Sequence, residues 1–145
     1  SRGLGDVYKR QGYGDASYAH SLLKQFKGEW VYNTDWKMIN GHPKKAGWIN
    51  AIQEAQKTVQ KGIGLDCPVL VMSSNKSFPE TKEWNNEYLS SDIVLDIHDI
   101  QKYGQKLGNY VTRDTIQNGI HDLILSEKDS RDHVYRTVFD WLPGK

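Results

Sequence analysis

The chain has 145 residues, 37% of them hydrophobic, with a mean hydropathy of −0.71 and a formal net charge of +1. That length is about one domain and can bury a core, while the near-neutral balance argues against nucleic acid or an acidic membrane surface, which demand a concentrated basic face. A single cysteine, Cys67, excludes an intramolecular disulfide and any cysteine-based zinc site.

A reducing cytoplasm is therefore the expected compartment. No apolar run approaches the roughly 20 residues of a membrane helix, so no integral membrane segment is expected. Lys44-Lys45 is the one adjacent basic pair in the main body and reads as solvated.

Positions 1–11 stand apart from the rest. Asp6-Val7-Tyr8-Lys9-Arg10-Gln11 is what GAT-GTG-TAT-AAG-AGA-CAG encodes, the end of a transposase adaptor used in sequencing libraries. The stretch reads as adaptor-derived, or else as a disordered N-terminus, and is set aside. Positions 12–64 form a helical, aromatic part, and a change of character near Gly64 opens an α/β part at 65–145.

In positions 15–26, Ala19, Leu22, Leu23 and Phe26 recur at helical steps, and Gly28 supplies a stop. An irregular aromatic passage follows to Gly41-His42-Pro43. Its Trp30, Tyr32 and Trp36 either line an apolar ligand pocket or cover the edge of a core. Positions 48–63 carry an amphipathic stripe of Trp48, Ile52, Ala55, Val59 and Ile63, ended by Gly62 and Gly64.

Cys67-Pro68-Val69-Leu70-Val71-Met72 is a continuous apolar run bounded by Ser73-Ser74-Asn75. It predicts a strand buried on both faces, with Cys67 an inert core thiol. Positions 77–91 are polar around Phe78, Trp84, Tyr88 and Leu89, predicting a loop with a short helix. Asp96 then precedes a helical stretch through Ile97, Ile100, Tyr103 and Leu107, and its carboxylate suits an N-cap. Positions 110–116 read as a more polar edge strand, and 130–142 as a helix. Ser126 is the expected cap of that last helix, with Glu127 and Asp129 favourable in its first turn. Helix, strand, helix, strand, helix predicts a layered α/β fold with right-handed crossovers.

Asp92, Asp96, His121 and Asp122 fall at strand ends, where open α/β sheets bind ligands. A carboxylate after one strand and a histidine after the next can meet there, the acid fixing the imidazole tautomer so that the other nitrogen acts as base. His20, His98 and His133 lie on predicted helices and His42 in a turn. None has partners at metal-ligand spacing, so neither a metal nor another cofactor is expected. The chain has no Gly-x-Ser-x-Gly and no Gly-rich phosphate loop.

Cys-Pro-Val-Leu-Val-Met-Ser-Ser at 67–74, Asp-Ile-Val-Leu-Asp at 92–96, Gly-Ile-His-Asp-Leu-Ile-Leu-Ser at 119–126 and the closing Phe139-Asp140-Trp141-Leu142 resemble the C-terminal half of an α/β-hydrolase. The closest branch is the serine-aminopeptidase and monoacylglycerol-lipase-like group, often labelled lysophospholipase. Gly28-Glu29-Trp30, Trp36-Lys37 and Ala46-Gly47-Trp48 resemble its cap, so the resemblance runs from Gly12 onward.

The resemblance implies a triad in the chain order Ser, Asp, His. His121 matches the family's histidine loop. The acid is assigned to Asp92 first and Asp96 second, because the strand at 67–72 runs into Ser73-Ser74-Asn75-Lys76 without a carboxylate. Asp122, beside His121, points its side chain elsewhere. The resemblance also implies an acyl pocket shaped by Trp30, Trp36 and Trp48, and a small-molecule or lipid ester as substrate. The family's serine and oxyanion-hole amides precede the cap and so lie before residue 1. The expectation is thus a serine ester hydrolase fragment that is inactive alone; the alternative is a non-catalytic half-hydrolase serving as a binding or interaction module.

Overall fold

The structure is a computed structural model and describes residues 16–41 and 45–142. Expectations for positions 1–11, for His42, Pro43 and Lys44 fall outside these residues. The chain divides into two compact units, Ser1–Lys45 and Ala46–Lys145. The break thus falls before the helix at 46–61 rather than after it, near Gly64.

In the first unit, helix α1 spans Ser17–Leu22 and buries Ala19 and Leu22 one turn apart. It is shorter than the 15–26 periodicity predicts. Leu23 turns extended, and the backbone doubles back so that Leu23 bridges Trp30. Lys24 N–H donates to the Trp30 carbonyl at 2.8 Å, and Trp30 N–H donates to the Leu22 carbonyl at 2.9 Å. Gly28 permits this return: a Cβ there would lie 2.1 Å from the Leu22 carbonyl carbon and oxygen. Its role is close backbone approach, not a helix stop.

The second unit opens with α2, Ala46–Lys61, released by Gly62 at φ +95° and Gly64 at φ +63°. None of its residues is buried, so the stripe from Trp48 to Val59 is not a core face of this unit. Its C-terminal end is held where the Lys106 ammonium donates to the Gln60 carbonyl at 3.3 Å.

Strand β1, Val69–Ser74, pairs in parallel with β2, Val111–Ile116, in the register Val69↔Val111 to Ser74↔Ile116. Helix α3, Ile97–Gly104, lies in the crossover between them, and α4, Lys128–Trp141, follows β2. Mixed α/β character is therefore present, as a two-stranded parallel sheet with flanking helices.

Successive strand side chains alternate between faces. On one face Gly104 of α3 comes so close to Val71 that a Cβ would lie 2.8 Å from a valine methyl. On the other, Thr137 and His133 of α4 bond the Asp114 carboxylate. Two expectations for β1 fail here. Val69 to Met72 are only half-buried, because two strands cannot enclose one another as a wide sheet would. Cys67 is exposed, because Pro68 has no amide hydrogen for the ladder and the strand begins after it. The core of this unit is Tyr88, Ile97, Ile116, Ile120 and Val134. No helix among the described residues is long and apolar enough to cross a membrane.

Candidate functional site: a buried aspartate paired with a loop histidine

Asp92 is separated from β1 by a polar stretch, yet it lies against the strand's end. The loop closes on itself: Asp92 N–H donates to the Lys76 carbonyl and Phe78 N–H to the Asp92 carbonyl, both at 3.0 Å. Between these pins the loop has its own small core. Tyr88 is fully buried, with Phe78 and Trp84 edge-on at ring-centroid distances of 6.0 and 5.3 Å. Its hydroxyl accepts the Thr81 amide hydrogen at 2.6 Å. A short 3-10 turn, Asn86–Leu89, is capped by the Asn85 side chain, which accepts from Glu87 N–H at 2.9 Å. Glu87 in turn meets Lys76 at 2.5 Å and holds its carboxyl below the usual glutamate range, chiefly through that charged hydrogen bond.

Beyond the pin, the Asp92 carboxylate divides its two oxygens. Oδ1 accepts the amide hydrogens of Val94 and Leu95, each at 2.8 Å. Oδ2 lies 3.0 Å from Nδ1 of His121. Asp92 is only 2% exposed, whereas the His121 side chain retains 30% of its surface. A buried carboxylate thus orients a partly exposed imidazole and is itself fixed by backbone donors. Ser77 completes the corner, its hydroxyl donating to the Leu95 carbonyl at 2.9 Å and accepting Ile97 N–H at 2.8 Å.

His121 is delivered from the other strand by a loop restrained on both sides. Asn118 takes a left-handed conformation, φ 55°, which asparagine tolerates, and its amide donates to the Asn75 side-chain oxygen at 2.9 Å. Ile120, 3% exposed, donates its amide hydrogen to the Ser126 hydroxyl at 3.0 Å. After the histidine, Leu125 N–H donates to the Asp122 carbonyl at 2.7 Å, closing the 3-10 turn Leu123–Leu125. From α4, the Ser130 hydroxyl holds the Gln117 carbonyl at 2.7 Å.

Ser126 is therefore not the cap of α4. The N-cap position is Glu127, without a side-chain bond, and the buried Ser126 hydroxyl serves the histidine loop instead. Asn75 and Ser126 are the positioning residues that sequence reasoning missed. A serine just before a helix looks like a cap, and an asparagine after a strand looks like a turn residue. Only the fold brings each to a loop amide.

The other assigned residues separate cleanly. Asp96 is the N-cap of α3, its carboxylate accepting His98 N–H at 2.9 Å. Trp30 and Trp36 belong to the first unit, where Trp30 is half-buried and Trp36 is 84% exposed; Trp48 belongs to the second and is 48% exposed. A second Asp–His pair occurs away from the loop ends: His133 Nε2 lies 3.0 Å from Asp114 Oδ2, which also accepts the Thr137 hydroxyl. That pair ties α4 to the middle of β2. Among the described residues no group of three His, Cys, Asp or Glu side chains could hold a metal ion.

No protein-family model, curated protein or solved structure matches the chain.

Proposed function

We propose that this chain carries the acid and the histidine of a serine ester hydrolase of the α/β-hydrolase kind, Asp92 and His121, and that its serine lies outside these 145 residues. The single observation that supports this reading most is the Asp92–His121 pair at 3.0 Å, with the second carboxylate oxygen occupied by two backbone amides. A carboxylate bonded to Nδ1 favours the tautomer whose Nε2 accepts a proton. In the proposed mechanism Nε2 takes the serine hydroxyl proton as the oxygen attacks the ester carbonyl, then gives it to the leaving alkoxide. Asp92 holds the ring and stabilises the transient imidazolium.

The sequence contains no Gly-x-Ser-x-Gly, so the chain alone has no nucleophile for this chemistry. The substrate in this reading is a carboxylic ester, lysophospholipids or monoacylglycerols included. A cytoplasmic setting belongs to the same proposal. The test is the reading frame upstream of Gly12. A Gly-x-Ser-x-Gly there, with a serine labelled by a fluorophosphonate when the two parts are joined, supports the reading. An upstream frame without that motif ends it.

A further inference from the structure

We propose that Asn40 is a site of spontaneous deamidation, through a succinimide closed by the Gly41 amide nitrogen, and that the fold makes it the labile one of two such sites. The sequence holds two Asn-Gly pairs, Asn40-Gly41 in the first unit and Asn118-Gly119 in the second. Glycine carries no side chain to hinder the attack of its amide nitrogen on the carboxamide carbon of the residue before it. Asn-Gly is therefore the pair in which the thermal lability of asparagine shows most.

The reaction needs only the chain and water. The Gly41 amide nitrogen gives up its proton and bonds to the side-chain carbonyl carbon of Asn40. The bond from that carbon to the side-chain nitrogen breaks, and ammonia leaves, taking up a proton. One water then opens the ring at either carbonyl, leaving an aspartyl or an isoaspartyl linkage at position 40. A neutral carboxamide becomes a carboxylate, which takes the formal net charge from +1 to zero.

The pairs differ in what must move for the ring to close. Both glycine amides close a turn, Gly41 N–H donating to the Met38 carbonyl at 3.0 Å and Gly119 N–H to the Ile116 carbonyl at 3.2 Å, so each turn must first open. At Asn40 the opening disturbs little. Asn40 and Gly41 are exposed, and among the described residues nothing beyond the chain neighbours lies within 4 Å of where a Gly41 Cβ would stand. At Asn118 the opening takes the histidine loop with it. Gly119 is buried, and a Cβ there would lie 2.7 Å from a Leu123 methyl. Asn118 N–H is held by the Asn75 side chain and Ile120 N–H by the Ser126 hydroxyl, so the peptide between them does not swing alone. The cost of local opening thus separates two chemically equal sites.

Incubating the 145-residue chain at mildly alkaline pH, with peptide mass mapping and enzymatic methylation of isoaspartyl linkages, tests the site. The expected result is conversion at position 40, seen as the mass of water gained for ammonia lost, with position 118 slower by about tenfold or more. In concentrated urea the two positions convert at similar rates. The rate at position 40 rises with pH, because the deprotonated amide is the attacking group. Asn40→Gln, whose longer side chain closes the ring poorly, removes the signal at 40 and leaves that at 118 as it was. No conversion at position 40 in the folded chain, or equal rates at 40 and 118, overturns the proposal. So does a position 118 that stays slower in urea, since sequence and not fold would then protect it. None of these results bears on the hydrolase reading, since Asn40 takes no part in the Asp92–His121 pair.

Discussion

The Ser126 hydroxyl accepts the amide hydrogen of Ile120 at 3.0 Å, one residue before His121, in a place closed to solvent. Through that bond the start of α4 sets the histidine loop. Ser126→Ala leaves a buried amide hydrogen without an acceptor, at a cost of about 1–3 kcal/mol. Urea unfolding should show a lower midpoint at unchanged slope. A midpoint within error of the parent would mean the loop is held elsewhere.

The Asp92–His121 bond predicts one histidine tautomer. With Oδ2 as acceptor, neutral His121 carries its proton on Nδ1 and leaves Nε2 pyridine-like. Nitrogen-15 correlation spectra of the ring read this directly. Asp92→Ala should shift the population toward the Nε2–H form common in unpaired imidazoles. An Nε2–H ring in the parent protein would contradict the geometry.

How much of this was legible in the sequence depends on the range over which each residue acts. The alternation of elements at 46–61, 69–74, 97–104, 111–116 and 128–141 follows from local periodicity and the turn residues between them. Asp96 as a cap is equally local, since the residue it bonds is two positions away. Cys67 misled although its cause is adjacent, since Pro68 removes a ladder donor and the strand begins after it, whereas α1 misled because Trp30 returns from farther along the chain to bridge Leu23. The stripe on α2 has correct periodicity yet buries nothing in its unit, since amphipathicity states a need for cover without supplying it. The roles of Ser126 and Asn75 depend on loops meeting in space, which spacing does not encode.

Gly104 tests the packing of α3 on β1. An added methyl at Gly104 meets a Val71 methyl at 2.8 Å. Gly104→Ala should destabilise the second unit by about 1–3 kcal/mol through overpacking. Val71→Ala makes room, so the double variant should recover part of that loss in a double-mutant cycle. Strict additivity would show that the two residues do not touch.

The Lys76–Glu87 pair predicts how the aspartate-bearing loop responds to acid. Its carboxyl is held below the usual glutamate range by the Lys76 bond. Folding stability from this group is therefore present above the unfolded glutamate pKa and is lost as pH falls through the lower folded value. Lys76→Met should reduce the difference in thermal midpoint between neutral and acid pH, by lowering the midpoint on the neutral side and leaving the acid side unchanged. The pair is exposed enough that the effect is small and shrinks with added salt. A variant whose acid sensitivity equals the parent's would remove the pair from the account.

Ester hydrolysis after joining the chain to its upstream segment tests the central claim most directly, measured as kcat for the parent, His121→Ala and Asp92→Ala. The account predicts turnover in the parent, a loss of about 10⁴–10⁶-fold with His121→Ala and a smaller loss with Asp92→Ala. Turnover that survives His121→Ala unchanged would contradict it.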